Sequence, residues 1–452
     1  MMSDPNHTTR TAVVPDDFIG SKYGRMFPAL PVHDCPDDAL ISLGGPGSRV
    51  DATDGADDDG PEANPCIPAG WPIFGQFIAH DITADRSLLQ QHASVNDLRN
   101  FRTPALNLES LYSNGPTGDP FMFDRVDPAK FLLGIDDAGA ANDEPRNVQG
   151  RALIGDPRND VHLIISQLHV AFLKLHNAVV DRLRLAGTPA GLVYSEAQRL
   201  VRWHYQWITT HEFLPLTVGQ PIVDAVRENG RQFFHFAGIP FVPVEFSDGA
   251  YRAGHSQIRT AYQINQTFRA NIFPDLAGFR PVPHAHHIDW RLFFAVSDAL
   301  PPQPSRRIDA RVAHPLVNLP DDVVGADVVG EARSLAYRDL QRARALDMPS
   351  GEALAAAMGV PILTREQVGL ADAGWDGDTP LWYYILKEAE VLHAGVQLGP
   401  LGGRIVTEVL FGLLDGDPTS YRNAPAPWQP ELPSAEPGTF TMADLLRFAG
   451  VA

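Results

Sequence analysis

A chain of 452 residues, 44% hydrophobic and 20% charged, is long enough for one large core or two to three domains and has the make-up of an ordinary globular protein. Its net charge of −19 argues against nucleic acid or an anionic membrane surface as the main partner. Two cysteines, Cys35 and Cys66, are too few for thiolate zinc sites or iron–sulfur clusters; they fit a reducing compartment and allow one disulfide.

In chain order, the first residues carry no basic region followed by an apolar run, so no signal peptide is expected. No apolar stretch is expected to reach the ~18 residues of a membrane helix, and the expectation is a cytoplasmic protein without membrane insertion. A route of secretion without a cleaved signal stays open. Residues 1–65, rich in Pro, Gly and Asp, predict an extended N-terminal arm lying on the body. The acidic run at 51–60 reads as a solvated loop, since its aspartates lack the EF-hand spacing.

Residues 71–83 predict a largely buried helix from the spacing of Phe74, Phe77, Ile78 and Ile82. Gln76 and His80, four apart, share one of its faces, and a polar pair there needs a polar task. Residues 84–150 read as loop with short helices. Residues 159–187 predict a long apolar helix, opened by Asp156-Pro157 and closed near Gly187. Further helices are expected at 195–214, from about 247 through His255, around 290–294, and at 330–347, 350–358, 364–370, 379–394, 401–413 and 441–448. The fold class is therefore mainly α, with long loops, little β-structure and no internal repeat.

His162, His169 and His176 recur every seven residues, roughly 10 Å along a helix, too far to share one ion; they read as independent polar contacts. His284, His286 and His287 cluster in a Pro-rich loop and offer a weak metal site as one alternative; without a helical partner pair or an acidic ligand at fixed spacing, they read as surface histidines. Gly254 removes a side chain beside His255, where something flat could approach. Arg158 stands at a helix start, where the helix dipole disfavours a cation, so it serves something other than its own helix.

The ordered series Gly75-Gln-Phe-Ile-Ala-His-Asp-Ile-Thr83, Thr103-Pro-Ala-Leu-Asn-Leu-Glu-Ser-Leu-Tyr112, Gly155-Asp-Pro-Arg158 with Leu168-His169 and His176-Asn177, Arg252-Ala-Gly-His255 and Asp339-Leu-Gln-Arg342 resembles the animal-type haem peroxidases. This is the peroxidase–cyclooxygenase superfamily, here most like its bacterial members. The resemblance covers about 65–415 and implies one helical haem-peroxidase domain over 66–452, including the Pro-rich C-terminal tail.

That resemblance implies roles. His80 matches the distal histidine, Gln76 the glutamine holding distal water, and Arg158 the distal arginine. His255 matches the proximal iron ligand, Arg252 an arginine that contacts a haem propionate, and Arg342 another arginine near the haem. Asp339 stands where the family usually has asparagine against the proximal imidazole. Asp81, Thr103, Ala105, Asn107 and Glu109 match a calcium site, with Asn107 in place of the usual aspartate. The implied cofactors are haem b and calcium. The implied reaction is oxidation of small organic or inorganic donors by hydrogen peroxide through a ferryl intermediate.

Two departures sharpen the expectation. Ala79 and Val161 stand where vertebrate members carry ester-forming carboxylates, so the haem should be non-covalent, and donors easier than chloride are expected. A carboxylate at Asp339 should give the proximal imidazole imidazolate character and a low ferric/ferrous potential. The alternatives are a fatty-acid dioxygenase and a non-catalytic haem-binding protein. The stretch His286-His-Ile-Asp-Trp290 lacks the radical-forming tyrosine of the dioxygenases, and storage would need no distal acid–base pair.

Overall fold

Helical periodicity organises this chain, and strands only stitch its connections. The computed structural model describes residues 21–53, 58–85, 95–371 and 375–452. The helices used below are α1 Asp37–Gly44, α2 Gly70–Ile82, α3 Leu163–Leu185, α4 Val193–Ile208, α5 Gln220–Asn229, α6 Leu335–Ala345, α7 Leu381–His393 and α8 Pro400–Gly416. The mainly helical class is what the structure shows. Among the described residues, one three-stranded sheet joins Ser21–Gly24 between Arg99–Asn100 and Val242–Pro243, and four further pairs are two-stranded.

The core forms where apolar faces of α2, α3 and α4 meet. Trp71, Phe74, Phe77, Ile78 and Ile82 of α2 are all buried. Phe77 stacks on Phe172 of α3 with ring centroids 4.7 Å apart, and Phe74 meets Tyr205 of α4 edge-on at 5.8 Å. Truncating a fully buried ring such as Phe77 to alanine costs about 3–5 kcal/mol. Gly70 lets α2 begin against the loop at 293–294: an added Cβ there would lie 2.4 Å from the Phe294 ring. This packing leaves Gln76 and Ala79 half-buried on the opposite face of α2, beside His80.

Several expectations need correcting. α3 is long and apolar enough to cross a membrane by length and composition, yet 83% of its most apolar window is buried inside the protein, so its apolarity serves the core. The helix Gln220–Asn229 was not expected; Gly219, at φ +85°, separates it from the preceding helix. The acidic run is not all solvated. Asp51 and Asp58 are buried, Asp58 pairs with Arg306 at 3.1 Å, and Asp59 pairs with Arg259 at 2.6 Å; residues 54–57 lie outside the described residues. Within the expected arm, Ser21–Gly24 pairs with two strands and α1 packs on α6. Residues 1–20 of that arm lie outside the described residues. Cys35 is buried, Cys66 exposed, and both are free thiols.

Candidate active site

A cavity of about 490 Å³ opens between α2 and the 3-10 helix Ala250–Gln257, and it gathers most of the singled-out polar residues. Gln76, His80, Arg158, Arg252 and His255 all line it, as do Ala79 and Val161; Asp339 is tied to the lining residues His255 and Arg252, and Arg342 is not among the lining residues. An added Cβ on Gly254 would meet no atom within 4 Å, so the space beside His255 is open, as the Gly-His pair suggested.

On the α2 wall, the His80 imidazole is set by a residue the sequence reading passed over. Asn159 accepts from His80 Nδ1 at 2.8 Å, while its amide nitrogen donates to His169 Nδ1 at 3.0 Å. That order of donors places the His80 proton on Nδ1 and leaves Nε2 as a basic nitrogen. Burial, then the charge of Arg158, holds the imidazole down at about 3, so it is neutral at ordinary pH. Gln76 is set in the same way. His162 Nδ1 accepts the Ile165 N–H, so its Nε2 carries the proton and donates to Gln76 Oε1 at 2.8 Å. The His162, His169 and His176 series does act as independent contacts, with His176 held by Tyr112 and the Ala129 carbonyl.

Arg158 lies in the 3-10 turn Pro157–Asp160 before α3. Asp156 grips it twice, from Nε at 3.0 Å and Nη2 at 2.8 Å. Nη2 also donates to the His80 and Thr83 carbonyls at 3.1 and 2.5 Å. The cation thus serves the C-terminal end of α2, where the helix dipole welcomes it. Its Nη1 has no partner among the described residues, and the side chain is 38% exposed. Burial alone would raise the Asp156 carboxyl, but its hydrogen bonds and charge contact with Arg158 hold it far below the usual range.

On the opposite wall, Asp339 receives His255 Nδ1 at 2.6 Å on one oxygen and Arg252 Nη1 at 2.6 Å on the other. Asp339 is fully buried. Burial opposes its ionisation, yet the charges of His255 and Arg252 outweigh that and keep it a carboxylate. Arg252 also gives Nη2 to Asp248 at 2.6 Å and Nε to the Ser247 carbonyl at 3.1 Å. Three of its five N–H groups therefore clamp Asp339 and the turn before it, a task the sequence reading did not assign. Arg342 is paired with Asp85 and lies 3.9 Å from Asp248. The residues fit haem: an imidazole with Nδ1 tied back, open space at Gly254, and apolar walls from Ile73, Phe213 and Ile272. Asp160, one place from Val161, cannot take the missing carboxylate's part, because both its oxygens bind Arg146 at 2.6 and 2.9 Å.

The residues matched to calcium lie on the other side of α2. Asp81 is fully buried, accepts N–H groups from Leu108 at 2.9 Å and Ser110 at 3.4 Å, and has no ion-pair partner among the described residues. Burial pushes its carboxyl up to about 7. Thr103 N–H donates to Glu109 at 2.9 Å, Ala105 N–H donates to the Thr103 carbonyl at 2.8 Å, and the Asn107 side chain accepts the Glu109 N–H at 3.0 Å. Glu109 also faces Arg102 at 3.3 Å, and the Asn107 carbonyl accepts from Arg202. A buried carboxylate without an ion-pair partner among the described residues, with only the more distant charge of Arg202 to favour its ionised form, fits a hard cation anchored on Asp81 beside hydroxyl, amide and carbonyl oxygens, for which Glu109 would exchange Arg102.

Residues 90–277 match the family model for animal haem peroxidase. The chain is 34% identical over 115 residues to a peroxidase-like protein of Margaritifera margaritifera, covering 24% of this chain and 14% of the relative. It is 26% identical over 261 residues to peroxidase skpo-1 of Caenorhabditis elegans, covering 47% and 37%. It thus spans well under half the length of the curated relatives it matches. Among solved structures, peroxidase A of Dictyostelium discoideum superposes with a TM-score of 0.63 at 16% identity, over 89% of this chain and 88% of that one. The fatty acid α-dioxygenase of Oryza sativa gives 0.59 at 15% identity, over 84% and 72%. At such identities these are likenesses of fold.

Proposed function

We propose that this chain, which belongs to the peroxidase–cyclooxygenase superfamily, is a haem peroxidase that reduces hydrogen peroxide to water and oxidises small organic or inorganic donors. One observation carries the reading: neutral His80 and the clamped Arg158 face a cavity whose far wall presents His255 tied to a buried carboxylate. Bound haem would supply the iron that accepts oxidising equivalents from peroxide and passes them to donors.

The protein's own residues would manage protons and charge. His80 Nε2 takes the proton from peroxide and returns it to the departing oxygen. Arg158, held rigid by Asp156, offers its guanidinium to the negative charge that grows on that oxygen. Gln76, oriented by His162, orders water beside them. His255 would hold the iron, and Asp339 would draw the Nδ1 proton and raise the basicity of Nε2. Arg252 keeps Asp339 ionised. With Ala79 and Val161 at the cavity wall, the haem would be held without ester links. Calcium on Asp81 would stiffen the C-terminal end of α2.

The dioxygenase likeness supports a second reading, because a tyrosine does line the cavity. It is Tyr251, beside the proximal turn, and its hydroxyl donates to the Gly75 carbonyl at 3.0 Å. Haem-loaded protein should oxidise a phenol such as guaiacol when peroxide is added and should consume no oxygen with unsaturated or saturated fatty acids. Oxygen uptake with fatty acid, and none of the phenol oxidation, would replace the peroxidase reading with the dioxygenase one.

A further inference from the structure

The histidines at 284–287 read as surface residues because no acidic ligand stood near them in sequence. The fold supplies one from 148 residues away. Asp136 sits in the turn of the hairpin formed by Gly134–Ile135 and Ala141–Asp143, and its side chain is buried. Its Oδ1 accepts the N–H groups of Ala138 and Ala140 at 2.9 and 2.8 Å, which fixes the carboxylate. Its Oδ2 lies 2.9 Å from His284 Nδ1 and 2.9 Å from His287 Nε2. His287 Nε2 is buried yet makes no hydrogen bond, so proximity to Oδ2 does not satisfy it.

We propose that Asp136, His284 and His287 bind a divalent transition-metal ion of the zinc class and so clip the hairpin to the Pro-rich loop. Their ligand atoms lie within 4.8 Å of one another, and among the described residues no other such group of His, Cys, Asp or Glu occurs. Ligands ~2.0–2.1 Å from a tetrahedral ion sit roughly 3.3 Å apart, so small side-chain rotations suffice. Two imidazoles and one carboxylate suit zinc, cobalt or copper better than calcium or magnesium. An ion would also answer the orphaned His287 nitrogen. The supporting shell is in place: the carboxylate is held by two amides, His284 N–H donates to Asp137 at 2.7 Å, and Asn265 pins the Ala285 and His287 carbonyls at 2.9 Å. His284 is exposed, which leaves the fourth position to water. His286 takes no part; it stacks on Phe268 at 3.8 Å.

The test is titration of the haem-loaded chain with zinc chloride against a chromophoric chelator, and with cobalt chloride by visible absorption. The wild type should bind one equivalent, with visible cobalt bands of four-coordinate type. The exposed positions keep the test clear of folding: His284→Ala and His284→Gln should weaken zinc at least tenfold and abolish the cobalt bands, with unchanged circular dichroism. No saturable zinc binding by the wild type, or equal binding by both His284 variants, overturns the proposal.

Discussion

Asn159 is the residue on which the basic face of His80 depends, and Asn159→Leu removes its hydrogen bonds while keeping its branched outline. Two bonds vanish in a fully buried place: His80 Nδ1 to Asn159 at 2.8 Å, and Asn159 to His169 at 3.0 Å. Each leaves a buried group unsatisfied, at about 1–3 kcal/mol apiece, so the variant should lose roughly 2–6 kcal/mol of stability. His169 is hit hardest, because its other nitrogen already lacks a partner. The His80 proton is then free to move to Nε2, which removes the acceptor from the cavity. Correct acid–base positioning contributes about 10²–10⁴-fold, so the reaction of the haem-loaded variant with peroxide should slow by on the order of 10²-fold. Stopped-flow absorbance measures that rate, and urea unfolding measures the stability. A peroxide rate within twofold of wild type would refute the orienting role of Asn159, whatever the stability change.

Other consequences follow from the same geometry. Asp339→Asn would turn an amide N–H₂ toward Arg252 and weaken the bond to His255. A differential of about 1.4 kcal/mol corresponds to about 59 mV for one electron, so the haem potential should rise by on the order of 50–100 mV. An unchanged spectroelectrochemical midpoint would contradict that role. With His80 held at about 3, its neutral form persists as pH falls and is lost only on passing through that value. The peroxide rate constant should therefore be flat from about pH 8 to 5, and an inflection near the ordinary histidine value of 6.5 would count against it. Removing divalent ions with EGTA should lower the melting temperature, and calcium at 100 times its Kd should restore it by adding about 2.7 kcal/mol of stability. Equal melting with and without calcium would remove the ion from Asp81.

Much of this site is legible in the sequence because its parts ride on strongly periodic helices. Phe74, Phe77, Ile78 and Ile82 fix which face of α2 is buried, and hence that Gln76 and His80 point elsewhere together. The long α3 places Arg158 at its head for the same reason. What escapes the sequence is pairing at a distance. Nothing local says that Asn159 meets His80 across 79 positions, or that His162 orients Gln76 across 86. Asp156 and Asp248 were closer to hand, two and four residues before the arginines they hold. The helix Gln220–Asn229 escaped because only Val223 and Val226 of its residues are fully buried, too few to set a clear period. The aspartates at 51–60 look like a solvated run until Arg306 and Arg259 arrive to bury part of it.

One cavity should hold a haem between His255 and the His80–Arg158 pair and use it against peroxide. Steady-state oxidation of guaiacol by the haem-loaded chain, at stoichiometric haem, tests it most directly across wild type, His80→Ala and His255→Ala. The wild type should show peroxide-dependent turnover, His80→Ala should lose at least 10²-fold of it with haem retained, and His255→Ala should lose haem binding itself. Equal turnover by wild type and His80→Ala, or full haem binding without His255, would contradict it.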